Sequence, residues 1–353
     1  MTKSDGASGL RLLQAIAGGE HGGAEAFFVR LALALGRAGV DQRLLVRKGR
    51  PWSAALVEGG LRPTELAFGG AADFTTRRAF GREIKAFSPD VVMTWMNRAS
   101  HLCPSAVAGQ NFTHVARLGG YYDLKYYRSC DHLIGNTEDI VRYLRDKDWP
   151  AARSHYIPNF VAAEPAQAVP RASFETPEGA PLVLALGRLH VNKAFDLLLR
   201  AAAELPEIYV WIAGEGPLGS ELQSLAQDLG VAGRVRFLGW REDVAALLAA
   251  ADILVCPSRI EPLGNVVIEA WAHGTPVIAA AAAGPMSLIT PGETGLIVPL
   301  EDAPAVATSI RTLIDNPTLA QRLAEAGREA YAETYTEAAI TRRYLDFFDA
   351  VRG

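Results

Sequence analysis

Short apolar runs alternate with longer amphipathic stretches along the chain, and this alternation constrains the fold more than any other feature. In the first half the runs are rich in Val, Ile and Leu and are typical of buried strands; they cover residues 11–17, 42–48, 90–95, 113–119 and 132–137. Between them, residues 24–39 and 76–87 have helical periodicity. Strands that alternate with helices form a parallel sheet with helices on both faces.

The second half repeats this pattern after a proline-rich segment. Its apolar runs cover residues 181–188, 208–216, 234–239, 252–258, 275–280 and 295–299. Residues 161–181 contain four prolines and little periodicity, which is typical of a linker. The sequence therefore predicts an α/β protein with two doubly wound, Rossmann-like domains facing a cleft, where ligands bind outside the carboxyl ends of the strands. We place the domains at residues 1–165 and 166–335.

A final helix is predicted over residues 336–353. It carries an apolar stripe that needs a partner surface, formed by Ile340, Tyr344, Leu345, Phe347, Phe348 and Val351.

Composition favours a cytoplasmic protein. Of the 353 residues, 49% are hydrophobic and 21% charged, as expected for a globular chain. The three cysteines, Cys103, Cys130 and Cys256, are far apart and form no Cys-x-x-Cys pair, which disfavours a disulfide framework or a thiolate metal site. The first nine residues are polar, unlike a secretory signal, and the longest apolar run, residues 276–285, is too short to span a bilayer.

The segment from Pro257 to Ala279 carries the most chemical information. A helix is predicted from Gly264 to about His273, and its free amides near Gly264, Asn265 and Val266 are suited to hold a diphosphate. Glu269 lies beyond the reach of these amides, where its carboxylate is suited to bind ribose hydroxyls. The alternative interpretation is that Glu261, just before the helix, caps it and that Glu269 is a solvated helix residue.

Several motifs, in this order, resemble those of retaining glycosyltransferases that have the two-Rossmann B-type fold and the E-x7-E motif. Glu261 and Glu269 have the E-x7-E spacing. The other matching segments are GGEHGGAE (residues 18–25), GRLHVNK (187–193), AGEGPL (213–218), VRFLGW (235–240) and PGETGLIVP (291–299).

The resemblance implies a role for each matching residue. Arg188 and Lys193 would neutralise the donor diphosphate in place of a metal ion. Glu261 would contact the hydroxyls of the donor sugar, and Glu269 the ribose. The remaining contacts would come from backbone: the turn of Leu238, Gly239 and Trp240 would hold the base, and the glycines Gly22 and Gly23 would allow close approach to the donor phosphate and sugar.

The resemblance also implies an activity: a retaining hexosyltransferase that moves a sugar from a nucleoside diphosphate sugar to a hydroxyl of a glycan or glycolipid. Cell-envelope polysaccharide or glycolipid synthesis would be its setting, with no metal or other cofactor and no nucleic-acid partner. In such proteins the last helix crosses back to the first domain. The resemblance implies that the departing phosphate would accept the proton of the attacking hydroxyl. No protein nucleophile is evident in the sequence.

The sequence departs from the family pattern at three places. Ser287 stands where an acid is usual, Ala194 follows Lys193 where Gly is usual, and no first-domain histidine matches. We expect His101 and His114 to be surface or packing residues. Asp146 and Asp148 form a D-x-D pair of the kind that holds a metal ion in other glycosyltransferases, but the end of a helix is the favoured interpretation.

Other functions on the same fold remain open. A nucleotide-sugar epimerase would consume donor without an acceptor, and a sugar phosphorylase would require a lysine-bound pyridoxal phosphate. A degenerate protein would bind nucleotide sugar without turnover, which Ser287 and the missing histidine suggest. The presence of Arg188, Lys193, Glu261 and Glu269 favours an active transferase.

Charge is unevenly distributed along the chain. The net charge is −4, but residues 1–170 carry 21 Lys and Arg against 16 Asp and Glu, whereas residues 171–353 carry 14 against 23. Residues 30–98 hold two basic clusters, the first comprising Arg43, Arg47, Lys48 and Arg50 and the second Arg77, Arg78, Arg82 and Lys85. We expect peripheral contact with the anionic cytosolic face of a membrane. Ordinary surface arginines paired with local acids are the alternative.

Overall fold

The computed structural model describes residues 9–20, 22–70 and 73–352, which form two compact units. Unit 1 holds the described residues up to Phe160 together with the final helix from Glu337. Unit 2 runs from Val161 to Thr336. The N-terminal residues 1–8, part of the argument against a signal sequence, and His21 of the glycine-rich segment lie outside the described residues.

Unit 1 is a seven-stranded parallel sheet in the order β3-β2-β1-β4-β5-β6-β7. Its strands are β1 (Arg11–Ile16), β2 (Asp41–Arg47), β3 (Thr64–Leu66), β4 (Val91–Trp95), β5 (Thr113–Leu118), β6 (His132–Gly135) and β7 (Ser154–Tyr156). Its α-helices are α1 (Gly23–Arg37), α2 (Ser53–Glu58), α3 (Phe74–Phe87), α4 (Met96–Leu102), α5 (Glu138–Asp146) and, at the end of the chain, α13 (Glu337–Val351).

Unit 2 is a six-stranded parallel sheet in the order β10-β9-β8-β11-β12-β13. Its strands are β8 (Leu182–Leu186), β9 (Tyr209–Ala213), β10 (Val235–Gly239), β11 (Ile253–Cys256), β12 (Val277–Ala280) and β13 (Leu296–Val298). Its α-helices are α6 (Phe195–Ala203), α7 (Gly219–Asp228), α8 (Val244–Ala250), α9 (Asn265–His273), α10 (Ala283–Leu288), α11 (Ala303–Asp315) and α12 (Pro317–Ala330). A π-helical turn, Tyr331–Tyr335, follows α12.

The strands that the apolar runs predict are all present, and the two Rossmann-like units confirm the predicted fold class. All residues of β4, β8, β11 and β12 are buried, as expected for parallel strands covered on both faces. The sequence did not predict β3 and β7. Each has three residues and lies at an edge of the unit 1 sheet, where one side of the strand is unpaired and the apolar signal is weak.

The final helix α13 packs on unit 1, as expected. Ile340, Tyr344 and Phe348 are fully buried in the same core cluster as Phe27 and Leu31 of α1. The stripe that required a partner in the sequence is therefore covered by α1 and the sheet behind it.

The proline-rich segment of residues 161–181 belongs to unit 2 and packs against the rest of that unit. Val169 donates its backbone N–H to the carbonyl of Ala246, and Trp211 donates its indole N–H to Thr176 Oγ1 at 2.9 Å. Phe174 stacks edge-on against Trp211. The structural division of the chain therefore falls before this segment, at Phe160 and Val161, whereas the sequence placed it at residue 165.

Within the described part of the chain, no helix combines the length and the apolar character needed to cross a membrane.

Candidate functional site

Two of the predicted site residues, Lys193 and Glu261, meet where the strand order of unit 2 reverses. β8 and β11 are neighbours in the sheet, while β9 continues on the far side of β8 and β12 on the far side of β11. The loops that leave the carboxyl ends of β8 and β11 therefore diverge, and open α/β sheets bind their ligands at such a point. Lys193 lies in the first of these loops and Glu261 in the second.

Glu261 is the centre of this arrangement and is only 9% exposed. Its Oε2 atom accepts from the ammonium group of Lys193 and from Ser258 Oγ at 3.3 Å. Its Oε1 atom accepts from the backbone N–H of Gly264 at 3.2 Å. Three donors from two loops thus satisfy one buried carboxylate, which is the condition for burying such a charge at tolerable cost.

The Lys193 ammonium remains charged at neutral pH. Burial lowers the pKa of this group, but the Glu261 carboxylate, helped by Glu269, raises it more, and the net pKa lies above its ordinary value. The neighbouring Cys256 thiol is fully buried, and burial raises its pKa to about 11. Cys256 is therefore a protonated core residue.

Gly264 begins helix α9 in a conformation that favours glycine. Its φ of 79° lies in the left-handed region, which a Cβ disfavours. The amide of Gly264, one of the three expected to hold a diphosphate, here donates to Glu261. Asn265 and Val266 form the first turn of α9 and are half-buried, and Glu269 lies further along the same helix, also half-buried.

Arg188 follows β8 and is exposed, in contrast to Lys193. Its loop lies tightly on the loop after β9: a Cβ at Gly214 would lie 1.9 Å from the carbonyl oxygen of Gly187, and one at Gly216 would lie 2.4 Å from that of Leu189. The glycines of the AGEGPL motif are therefore required by the close backbone approach that holds the Arg188 loop in place.

Ala194, the departure from the usual glycine, adopts a left-handed conformation with φ of 53° just before α6. This geometry explains why glycine suits the position, because a Cβ costs about 1–2 kcal/mol there. The methyl group is fully buried beside Leu197 and Ala303, which offsets part of the cost.

The turn expected to hold the base lies at the end of β10. Gly239 has φ of 66°, and its carbonyl accepts from the N–H of Gly214 at 2.7 Å. Leu238 is half-buried, whereas Trp240 is 66% exposed and its N–H lies 3.5 Å from Glu215 Oε1. The turn thus presents one large aromatic side chain to solvent.

The glycine-rich loop of unit 1 is organised by Glu25, a residue to which the sequence motifs assign no role. Glu25 is 7% exposed and accepts from the N–H of Gly19 at 2.7 Å. A Cβ at Gly22 would lie 2.2 Å from Glu25 Oε2, and one at Gly18 would lie 2.6 Å from Glu25 Cγ. A side chain at residue 18 or 22 would therefore require the Glu25 side chain to shift, and Gly23 is the first residue of α1.

The remaining candidates have structural contacts. His114 is buried, and its ring nitrogens hydrogen-bond with Thr94 Oγ1 and the Ser129 carbonyl. His101 is exposed and stacks edge-on against Tyr126. Ser287 Oγ donates to the Gly284 carbonyl at 2.7 Å within α10.

Asp146, of the D-x-D pair, is the last residue of α5. In the described ranges, no group of three His, Cys, Asp or Glu side chains is arranged to hold a metal ion.

Sequence patterns alone did not indicate the contacts that link the site loops. Ser258 lies two residues after the buried strand β11, and a polar residue just beyond the carboxyl end of a buried strand is a signal that could have identified it. The ion pairs of Arg259 join residues far apart in sequence, and no local pattern indicates them.

Comparisons with known proteins agree with this architecture. Residues 168–330 match the family described as Glycosyl transferases group 1, and residues 21–164 match Glycosyltransferase Family 4. The chain is 39% identical over 332 residues to the lipopolysaccharide core biosynthesis glycosyltransferase LpsE of Rhizobium meliloti, covering 93% of this chain and 96% of that protein.

Solved structures share the fold at lower identity. A glycosyltransferase from Rickettsia africae has a TM-score of 0.88 at 20% identity, covering 97% of this chain and 98% of that one. Anabaena Alr3699/HepE in complex with UDP has a TM-score of 0.85 at 18% identity, covering 97% of this chain and 100% of that one.

Proposed function

The chain belongs to the group 1 glycosyltransferases, and on this premise we propose that it transfers a sugar, with retention of configuration and without a metal ion, from a nucleoside diphosphate sugar to a hydroxyl of a cell-envelope glycan or glycolipid. The observation that carries this proposal is the meeting of Lys193 and Glu261 at the strand-order reversal of unit 2, beside the start of α9.

The difficult step is cleavage of the anomeric C–O bond while negative charge develops on the diphosphate. Fixed positive groups aimed at that charge lower the barrier, and one such donor typically contributes ~2.7–4 kcal/mol. Lys193, Arg188 and the amides that begin α9 are the candidates. Because the Gly264 amide and Lys193 both contact Glu261 without donor, we propose that these contacts rearrange as the diphosphate binds.

In this scheme Glu261 takes the sugar hydroxyls, Glu269 the ribose and the Leu238–Trp240 turn the base. The diphosphate oxygen that leaves the anomeric carbon accepts the proton of the attacking hydroxyl, so that the bond to the new acceptor forms on the same face of the sugar.

The names of related proteins indicate which donors and acceptors to test first. The Anabaena protein was crystallised with UDP, which makes UDP-sugars the first donors to test. The relative from Rhizobium meliloti is named for lipopolysaccharide core biosynthesis, which favours a growing lipopolysaccharide core as acceptor.

The test is a donor screen followed by product analysis. Melting temperatures are measured with UDP-, GDP- and ADP-sugars, since a ligand at 100 times its Kd stabilises by about 2.7 kcal/mol. The donor that binds is then incubated with truncated lipopolysaccharide, and NMR determines the anomeric configuration of the product. An inverted product rules out the retaining mechanism, and donor binding without transfer to any acceptor favours a degenerate binding protein.

We further propose that the protein works in the cytosol and docks on anionic membrane through α3. Arg77, Arg78, Arg82 and Lys85 are all exposed on this helix, and Phe74 at its start is 78% exposed. An exposed aromatic beside a basic helix face suits a lipid interface.

The other basic cluster is partly neutralised by local acids. Arg43 pairs with Glu83 at 2.7 Å, and Arg50 lies 3.6 Å from Glu20. We therefore assign the docking role to α3 alone.

A further inference from the structure

Arg259 connects three segments of unit 2 through one guanidinium group. It forms a bidentate pair with Asp196 at the start of α6, with distances of 2.8 Å from Nη1 to Oδ1 and 2.7 Å from Nη2 to Oδ2. Its Nε and Nη2 atoms donate to Glu301 after β13, at 2.5 and 3.0 Å. Its Nη1 atom also donates to the backbone carbonyl of Val191 at 3.0 Å.

These contacts lie next to the two proposed donor-binding residues. Val191 is two residues before Lys193, and Arg259 is two residues before Glu261. A backbone hydrogen bond strengthens the same connection, from the N–H of Ile260 to the carbonyl of Asn192 at 3.2 Å. The loops after β8 and β11 are therefore joined immediately before the residues that they present to the donor.

The conformation of Glu301 supports a specific need for its side chain. Glu301 has φ of 59°, in the left-handed region that disfavours a residue with a Cβ. A turn of this kind usually selects Gly or Asn, so a glutamate there indicates that the structure gains from its side chain. The observed gain is the two-point contact with Arg259.

We propose that Arg259 is a positioning residue that fixes the Lys193 loop against the Glu261 loop before the donor binds. The inference rests on the proposed function of Lys193 and Glu261 as donor-binding residues. Lysine cannot replace this arginine, because an ammonium group lacks the planar fork that serves two carboxylates and a carbonyl at once. Small misplacement of catalytic groups is costly, and an error of 1 Å can reduce turnover about 10²-fold.

The test uses Arg259→Lys and the milder Glu301→Gln, which keeps the size of the side chain but removes its charge. UDP, GDP and ADP are titrated calorimetrically into the folded proteins, and hydrogen exchange is measured for the amides of residues 188–194 and 257–264. The proposal predicts that Kd for the nucleotide that binds wild type rises about tenfold in Arg259→Lys, a change equivalent to ~1.4 kcal/mol. It also predicts faster exchange in both loops together, with a smaller effect of the same kind in Glu301→Gln.

Arg171→Lys is the matched control. Arg171 makes an ion pair with Asp252 at 2.9 Å and donates to the carbonyl of Ala250. These contacts lie near the amino ends of the strands, away from the loops that carry Lys193 and Glu261. Its substitution should lower the melting temperature and leave nucleotide Kd and exchange in both loops unchanged.

The outcomes separate the two hypotheses. If wild type binds none of the nucleotides, the proposed function fails. Hydrogen exchange in the loops of Lys193 and Glu261 then remains as the test of the positioning role of Arg259. If wild type binds one of them while Arg259→Lys keeps its Kd and its loop exchange at the wild-type values, the positioning role of Arg259 is overturned. A fall in melting temperature without either change means that Arg259 serves stability only.

Discussion

Lys193 donates directly to Glu261 across 68 residues of sequence, and this ion pair is 22% exposed at the lysine side chain and 10% at the glutamate. The family resemblance implies different partners for the two residues, the diphosphate for Lys193 and the sugar for Glu261. In the absence of donor each is the other's partner. The pair restricts both side chains before binding, and in the proposed scheme it rearranges when the diphosphate arrives.

Glu261 and Glu269 should differ in how their loss affects the enzyme. Glu269→Ala is expected to raise the Kd for the nucleoside diphosphate by ~10–100-fold, since a hydrogen bond to a charged group is worth about 1.5–3 kcal/mol. Glu261→Ala should mainly reduce kcat, because its proposed partner is the sugar. Calorimetry with the nucleotide and steady-state kinetics separate the two effects, and unchanged nucleotide affinity in Glu269→Ala excludes the ribose assignment.

Gly22 and Glu25 should show strong epistasis. Gly22→Ala alone places a methyl group against Glu25 Oε2, and overpacking of this kind costs typically 1–3 kcal/mol. The φ of Gly22 is 166°, an extended conformation open to any residue, so no backbone strain is added.

In a Glu25→Ala background the added methyl group should cost little stability. Urea unfolding of the single and double variants measures this coupling. If Gly22→Ala is equally harmful to turnover in both backgrounds, glycine is required for donor approach, as the sequence first suggested, as well as for packing.

Acid should destabilise unit 1 through the buried His114 and the half-buried His155. Burial lowers the pKa of His114 from 6.5 to about 4, although the Ser129 carbonyl and Asp131 act in the opposite direction. Burial and the neighbouring His132 lower the pKa of His155 to about 4 as well. In both cases the unfolded chain binds the proton first, so stability is complete above pH 6.5 and declines as pH falls towards 4.

Between pH 6.5 and pH 4, protonation of His114 should lower the free energy of unfolding by up to roughly 3 kcal/mol. Urea midpoints at pH 7 and pH 5 should therefore move closer together in His114→Gln than in wild type. His101→Gln, at an exposed position, is the control. An unchanged pH dependence in His114→Gln means that another group is responsible for the acid sensitivity.

Membrane docking should depend on the charges of α3. Binding to vesicles that contain anionic lipid is expected to fall as salt rises and to drop when Arg77, Arg78, Arg82 and Lys85 are replaced by Gln, since each basic residue contributes ~1 kcal/mol near an anionic surface. Replacing Arg43 and Arg50 by Gln is the control. It removes two positive charges, half as many as the α3 variant, and should leave vesicle binding largely unchanged. Equal binding to neutral and anionic vesicles in a sedimentation assay argues for a soluble acceptor.

The sequence predicted the central strands and helices because a parallel sheet covered on both faces needs continuous apolar runs. It also located Glu261 and the start of α9, since a strand end, a turn glycine and an amphipathic helix occur together there. Contacts between distant segments left no such local pattern. Three such contacts are visible only in the three-dimensional structure: the pairing of Lys193 with Glu261, the bidentate contact of Arg259 with Asp196, and the close approach of Glu25 to Gly22.

Ala194 has a backbone conformation that favours glycine, although the residue is alanine. The residue looked like a break in the motif, yet its φ of 53° is the left-handed geometry that a glycine would adopt without strain. The backbone beside Lys193 therefore has a geometry that glycine would also adopt.

The most direct test is release of nucleoside diphosphate from the donor, with acceptor present and EDTA added, by wild type, Arg188→Ala and Arg200→Ala. Both arginines are exposed residues of unit 2, but only Arg188 is assigned to the diphosphate. We predict that wild type and Arg200→Ala keep full turnover in EDTA, while Arg188→Ala loses ~10²–10³-fold with an unchanged melting temperature. Turnover that EDTA abolishes and magnesium or manganese restores, with Arg188→Ala as active as wild type, would contradict the account and return attention to Asp146 and Asp148.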